Sequence, residues 1–142
     1  MKEDHDLSNE HKRFVFLDDT RFPMDVYEYT FQHIYLDTEW VIVRNYDEFI
    51  NDILLNGISD GYSFDHDLGP EHYNHQNDED LRKLPYDQYM EKTGYHCAKW
   101  LIDYCMDNKL SPPKHILVHS MNPIGGENIK SLFNTYNKVY GK

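Results

Sequence analysis

The chain has 142 residues, the size of one domain, because two halves of about 70 residues would each bury too little apolar surface to be stable alone. Aromatic residues make up 15% of the chain, which argues against disorder. The net charge of −11 excludes a broad basic surface for nucleic acid. A local pocket of Arg, His and backbone N–H groups, or a metal ion, can still hold an anionic substrate.

Neither a membrane span nor a secretory signal is expected, because the sequence has no long apolar run and its first residues are polar. Cys97 and Cys105 lie eight residues apart in one predicted helix, about 12 Å, which is too far for a disulfide. We therefore expect two reduced cysteines and a cytoplasmic protein without membrane contact.

Four short apolar segments predict buried strands of a parallel sheet, and each stops at polar residues. They are residues 14–17, 40–43, 62–64 and 115–118. Three helices alternate with these strands: the first is capped by Asn45, the second by Thr93, and the third follows Asn122 and Pro123. The alternation predicts an α/β fold, a three-layer sandwich of flavodoxin-like type with four parallel strands in the order 2-1-3-4.

Three segments lie outside this pattern. Residues 1–12 are predicted to be a polar tail before a single domain over 13–142. Residues 20–38 show no helical period, and the alternation from Tyr27 through Phe31 suits a small edge strand or aromatic packing. Residues 70–92 form a polar insertion that we interpret as a solvated loop and a candidate lid.

Carboxylates follow strands 1 and 3, which flank the point where the strand order reverses and where such sheets bind ligands. Asp18, Asp19 and Asp65 would repel one another there unless a cation lies between them. The alternative is that each one caps a turn. We favour a cation site, with oxygen ligands that suit Mg²⁺, Ca²⁺ or Mn²⁺, and with imidazole shifting the preference towards Mn²⁺ or Zn²⁺.

Two histidines follow strands on the same edge, and a pair of imidazoles can serve as general acid and general base. His66 and His119 are the candidates, although each could equally be a buried histidine bonded to a carbonyl. A phosphate could be held by side chains and by a glycine-bearing loop that enters a helix. The candidates are Arg21, Arg44, Ser120, Asn122 and Gly125, with Asp67 as a possible further site residue. The arginines could equally form surface ion pairs.

The acidic pair after strand 1, the aspartate after strand 3 and the hydroxyl after strand 4 resemble receiver domains of two-component signalling. A closer resemblance is to the cyclic-phosphate processing receiver-like domains of bacteria and phages. The motifs that carry it are Leu-Asp-Asp-Thr-Arg-Phe-Pro at 17–23, Ser-Phe-Asp-His-Asp-Leu-Gly at 63–69, Thr-Gly-Tyr at 93–95 and His-Ser-Met-Asn-Pro-Ile-Gly at 119–125.

The resemblance implies a receiver-like fold and the handling of cyclic phosphates, for instance at RNA ends, in a host cytoplasm if a phage encodes the chain. No fifth strand with its lysine is predicted, and the histidines are added, so hydrolysis is favoured over phosphoryl storage. The leading hypothesis is a metal-assisted phosphoesterase with Mg²⁺ or Mn²⁺ on Asp18, Asp19 and Asp65, acting on a small phosphorylated substrate or an RNA end. The alternatives are a signalling module phosphorylated on Asp65 and a non-catalytic binding factor.

Overall fold

A computed structural model describes residues 12–69 and 92–140, and these residues form an α/β domain around a parallel sheet. Most of the predicted tail and most of the predicted insertion lie outside the described residues. In chain order, the elements are β1 (Phe14–Leu17), α1 (Pro23–Thr30), α2 (Ile34–Asp37), β2 (Trp40–Val43), α3 (Tyr46–Asn56), β3 (Gly61–Phe64), α4 (Gly94–Asp107), β4 (His115–Val118) and α5 (Pro123–Tyr140).

The sheet has four parallel strands in the order β2-β1-β3-β4, which confirms the predicted topology and receiver-like fold. The last residues of the four strands pair with one another: Leu17 pairs with Val43 on one side and with Phe64 on the other, and Phe64 pairs with Val118. All four strands therefore end at the same level. The polar residues that follow them are brought to one edge of the sheet.

Alternation along the strands gives each face of the sheet its own core. Val15 and Leu17 of β1 point to a large cluster that includes side chains of α3, α4 and α5. Phe16 points the other way, to a smaller cluster with Val26 of α1 and Tyr35 of α2. The helices therefore lie on both faces, which is the predicted three-layer arrangement.

The predicted helix starts are confirmed by their capping hydrogen bonds. The Asn45 side chain accepts from the Glu48 N–H at 2.9 Å, which begins α3, and Gly57 ends it with a φ of +84°. At the start of α4, the Thr93 hydroxyl accepts a hydrogen bond from the backbone N–H of His96, and the backbone N–H of Thr93 donates to His96 Nδ1. Cys97 and Cys105 are unpaired and buried, as expected.

The small edge strand suggested within residues 20–38 is wrong, because α1 and α2 occupy that segment. Pro23 begins α1, and the Asp25 side chain accepts from the Phe22 N–H at 2.8 Å. The helix has only eight residues and buries only Val26, so it leaves no apolar stripe in the sequence. A helix this short is set by its caps and by its tertiary contacts, which periodicity does not reveal.

Among residues 12–69 and 92–140, none of the helices combines the length and the hydrophobicity that a transmembrane segment needs.

Candidate functional site

Three polar residues continue the strand ladder by one position at the carboxyl end of the sheet. The Asp18 N–H donates to the Val43 carbonyl, the Asp65 N–H donates to the Leu17 carbonyl, and the His119 N–H donates to the Phe64 carbonyl. Because they keep the ladder, these residues also keep its alternation and project towards the α1 face together with Phe16. The register of the sheet thus places the three side chains side by side.

Asp18, Asp65 and His119 form a buried cluster in which one ligand atom from each residue lies within 4.8 Å of the other two. The set comprises two carboxylates and one imidazole. Hard divalent cations favour carboxylate oxygens, and an imidazole extends the range to Mn²⁺ and Zn²⁺. We refer to these three residues as the ligand cluster.

Asp18 is held as a carboxylate by its hydrogen bonds. Its Oδ1 accepts from the backbone N–H groups of Thr20 at 3.0 Å and Arg21 at 2.8 Å, while His119 Nε2 donates to Oδ2 at 3.0 Å. Burial works to raise the pKa of Asp18, but the bonds from His119 and from the two backbone N–H groups outweigh it and lower the pKa to about 2.

The Asp65 carboxyl group accepts fewer hydrogen bonds than that of Asp18. Its Oδ1 accepts from the His66 N–H at 2.9 Å, but its buried Oδ2 has no hydrogen-bond partner among the described residues. Burial, and next the negative charge of Asp18, raise the pKa of Asp65 to about 8 despite the nearby guanidinium of Arg21. A buried oxygen without a partner is the feature that a bound cation would satisfy.

A chain of hydrogen bonds behind His119 orients its ring. Its Nδ1 bonds to Ser63 Oγ at 2.7 Å, and Ser63 Oγ bonds to the Tyr35 hydroxyl at 2.6 Å. The imidazole also stacks on Phe16, with the ring planes 4° apart. Burial lowers the pKa of His119 although Asp18 opposes this, so the ring is held neutral, the form that can bind a metal.

Arg21 brings positive charge to the cluster from the α1 side. Its Nη1 lies 3.3 Å from Asp18 Oδ2 and 4.0 Å from Asp65 Oδ1, and 26% of the side chain remains exposed. The guanidinium lies over the Tyr29 ring, and Nη2 is 3.1 Å from the sulfur of Met121. The Tyr29 hydroxyl in turn donates to the His119 carbonyl. Arg21 is therefore a partly open cation beside two carboxylates.

Arg44 holds the main chain of this loop. Its Nη1 donates to the carbonyls of Asp18 at 3.0 Å and Arg21 at 2.7 Å, and its guanidinium lies 4.7 Å from the centroid of the Phe22 ring. These contacts fix the turn that carries Asp18 and Arg21. The predicted contact of Arg44 with phosphate stays a prediction.

A second buried cluster lies beside the first and joins the β3 end to the start of α5. His66 Nδ1 bonds to Asp67 Oδ1 at 2.8 Å, and Asn122 Nδ2 donates to both oxygens of Asp67 at 3.1 and 3.4 Å. Asn122 Oδ1 accepts from the Gly125 N–H at 2.9 Å. A Cβ on Gly125 would lie 2.2 Å from His66 Cγ, so only glycine fits against this ring. We call His66, Asp67, Asn122 and Gly125 the locking cluster.

The structure separates residues that the sequence grouped together. Asp18, Asp65 and His119 converge, whereas Asp19 is half-buried and outside the ligand cluster, although its charge contributes to raising the pKa of Asp65. His66 is fully buried against Gly125, so its acid–base role stays a prediction. The side-chain amide of Asn122 bonds to Asp67 and to the Gly125 N–H, and the predicted contacts of Asn122 and Gly125 with phosphate also stay predictions.

Sequence reasoning missed two residues behind the ligand cluster and one beside it. Ser63 is a polar residue inside a buried strand, and this was the available signal. Tyr35 and Tyr29 come from α2 and α1 and could be placed only once those helices were known. Their hydroxyls contact Ser63 and His119 respectively.

Comparison with known families identifies one matching family model, the cyclic-phosphate processing receiver domain, over residues 13–135. The match spans most of the chain and includes every residue of the two clusters, so the chain belongs to this family. No curated protein and no solved structure matches the chain.

Proposed function

We propose that this cyclic-phosphate processing receiver domain is a metal-assisted phosphoesterase that opens the ring of a cyclic phosphate. The observation that carries the proposal is the buried ligand cluster, in which Asp65 has one unpartnered oxygen and the guanidinium of Arg21 lies beside it. The substrate class is suggested by the family, whose description names cyclic phosphates. A cation in the ligand cluster would stabilise the negative charge that develops on the phosphate oxygens in the transition state.

Asp18, Asp65 and His119 would hold a divalent cation; the two carboxylates suit Mg²⁺ or Mn²⁺, and the imidazole shifts the preference towards Mn²⁺. The fit rests on Asp65, because its second oxygen is buried without a partner among the described residues. A cation bound there would polarise the phosphate and neutralise charge that builds up on its oxygens. We assign His119 as a ligand because Nδ1 is bonded to Ser63 and only Nε2 faces the carboxylates.

The remaining residues of the site would position the phosphate. Arg21 is partly exposed and can donate to a phosphate oxygen. Ser120 Oγ accepts from the Asn122 N–H at 3.0 Å, so its own hydrogen can be donated to the substrate. In the hydrolysis, a water molecule loses one proton as its oxygen bonds to phosphorus, one ester P–O bond of the phosphate ring breaks, and the released oxygen takes up one proton, so that a phosphomonoester and a hydroxyl group form.

The test is to incubate the protein with 2′,3′-cyclic AMP and with an oligonucleotide that ends in a 2′,3′-cyclic phosphate, in Mg²⁺, in Mn²⁺ and in chelator. We expect ring opening only with metal. Asp65→Asn should lower turnover on the order of a thousandfold or more, since it removes a charged ligand of the cation. The change is nearly isosteric and removes a carboxylate that burial disfavours, so the fold should survive.

The matched control is Asp103→Asn, which removes a carboxylate from the exposed surface of α4 and should leave turnover unchanged. Wild-type rates in Asp65→Asn, or full activity in chelator, would overturn the proposal. An acid-labile adduct on Asp65 after treatment with acetyl phosphate would favour the signalling alternative. A nucleotide that binds and is recovered unchanged would favour a binding factor.

A further inference from the structure

Phe22 occupies a position where a polar residue would serve the fold better. It is the N-cap of α1, a place where Ser, Thr, Asp or Asn accepts a hydrogen bond from the first turn. Phe22 supplies no such bond, and the residue is 54% exposed, so it adds little to the core. The aromatic ring of Phe22 is therefore exposed at a position where neither the helix cap nor the core requires it.

The Phe22 ring is held in place in spite of its exposure. The Arg44 guanidinium lies 4.7 Å from the ring centroid, and Arg44 is itself fixed by donating to the carbonyls of Asp18 and Arg21. The Phe22 N–H is also bonded, to Asp25. The ring is therefore preorganised, which lowers the entropy cost of binding a flat ligand against it.

The position of Phe22 relates it directly to the ligand cluster. It follows Arg21, whose guanidinium lies beside Asp18 and Asp65, and one guanidinium separates its ring from the main chain of Asp18. On another side of Arg21 lies Met121, which is also exposed. A ligand whose phosphate lies at Arg21 would thus have an aromatic ring and a polarisable thioether within reach of its remaining part.

We propose that Phe22 is a stacking surface for the base of a nucleoside cyclic phosphate and that Met121 provides a second apolar contact. The inference rests on the proposed function for the position of the phosphate, and it narrows the substrate from any cyclic phosphate to a nucleotide. Every base has a flat π-face, so stacking selects a base without selecting which base. The acidic chain disfavours a long polyanion and favours one nucleotide or one terminal nucleotide.

The experiment compares two ligands that share the cyclic phosphate and differ in the base: 2′,3′-cyclic AMP and glycerol 1,2-cyclic phosphate. Affinity is measured by calorimetry in chelator and in Mn²⁺, and KM and kcat are measured in Mn²⁺. The wild type should bind the nucleotide more tightly. Phe22→Ala should weaken nucleotide binding about fivefold or more and leave the glycerol ligand unchanged, while Phe22→Tyr should retain binding. KM should rise and kcat should change little.

Phe31→Ala is the matched control, because Phe31 is a 70% exposed phenylalanine at the other end of α1. It should leave both ligands unaffected. Equal affinity of the wild type for the two ligands, equal effects of the two substitutions, or no binding of either ligand would overturn the inference. Base-dependent binding without ring opening would support the stacking surface while removing the proposed function. If the protein opens the cyclic phosphate of both ligands and Phe22→Ala has no effect, the proposed function is supported and the stacking surface is overturned.

Discussion

Two buried clusters of Asp and His lie side by side at the carboxyl end of β3, and they differ in how their polar groups are satisfied. In the locking cluster, Asp67 receives bonds from His66 and Asn122. In the ligand cluster, Asp65 has a buried oxygen without a partner among the described residues, and burial together with the charge of Asp18 raises its pKa. Residue type alone therefore does not distinguish a site from a structural contact; the state of the hydrogen bonds does.

The largest expected effect is a pH dependence of stability that comes from the ligand cluster. The pKa of Asp65 rises from 3.8 to about 8 on folding, so between these values the native state binds more protons than the unfolded state. The free energy of unfolding of the metal-free protein should therefore fall as pH rises from about 4 to about 8, by at most on the order of 5 kcal/mol. Below pH 4 the effect of Asp18, whose pKa is about 2, has the opposite sign, and stability should fall as the solution becomes more acidic.

Urea denaturation in chelator at pH 5 and pH 8 measures this effect, with Asp65→Asn as the reference, because it lacks the titrating carboxyl group. Adding Mn²⁺ should restore stability to the wild type at pH 8 more than at pH 5, since the ligand must be deprotonated. If the unfolding free energy of Asp65→Asn changes between pH 5 and pH 8 as much as that of the wild type, groups other than Asp65 cause the pH dependence.

The locking cluster predicts a packing effect that does not depend on metal. Gly125→Ala would place a methyl group 2.2 Å from the buried His66 ring, and we expect unfolding free energy to fall by about 3 kcal/mol or more. Gly126→Ala is the matched control, because its methyl group would meet Val118 at an ordinary 3.4 Å and helices favour alanine. Denaturation of both variants in chelator is the measurement, and equal stabilities would refute the role of Gly125.

A smaller effect, on Mn²⁺ affinity, is expected from changing Ser63, which is hydrogen-bonded to His119. When Nε2 binds a metal, the Nδ1–H needs an acceptor, and Ser63 Oγ at 2.7 Å can be that acceptor. Ser63→Ala should weaken Mn²⁺ binding about ten- to a hundredfold, and Ser63→Thr should retain much of it if the strand accommodates the methyl group. Titration calorimetry and nitrogen NMR shifts of the imidazole report affinity and tautomer separately. Unchanged affinity together with an unchanged tautomer would remove Ser63 from this role.

The smallest effect concerns the neighbouring carboxylate. Asp19 lies outside the ligand cluster, although the sequence predicted it as a ligand beside Asp18. Asp19→Asn should lower Mn²⁺ affinity only a few-fold, through the loss of one nearby charge. A loss as large as that of Asp65→Asn in the same titration would show that Asp19 binds the ion directly.

The sequence predicted the sheet well because its strands are short apolar runs with clear polar ends, and because Asn45 and Thr93 mark their helices by capping. It also predicted where the polar residues gather, since parallel strands in even register end together. The sequence did not show which of the adjacent polar residues after each strand has its side chain in the site. That depends on the ladder continuing through Asp18, Asp65 and His119.

The locking cluster and the residues behind His119 depend on contacts that are distant in sequence. His66 is buried because a glycine of α5 lies against its ring, and Tyr35 reaches Ser63 from a four-residue helix. No local pattern encodes such contacts. Long-range packing decides them, and this is why the chemistry of His66 was open while the position of Asp65 was predicted.

The start of α4 also fixes the main chain that carries Asp65. The Gly94 N–H donates to the His66 carbonyl at 2.8 Å, and a Cβ on Gly94 would overlap the Asp65 carbonyl oxygen. The start of α4 is therefore anchored to the main chain of Asp65 and His66, at the end of the connection that follows Gly69 in the sequence. Closing a connection of twice the length costs only about 0.6 kcal/mol more. A change in the number of residues before Gly94 would therefore leave the main chain of Asp65 in place.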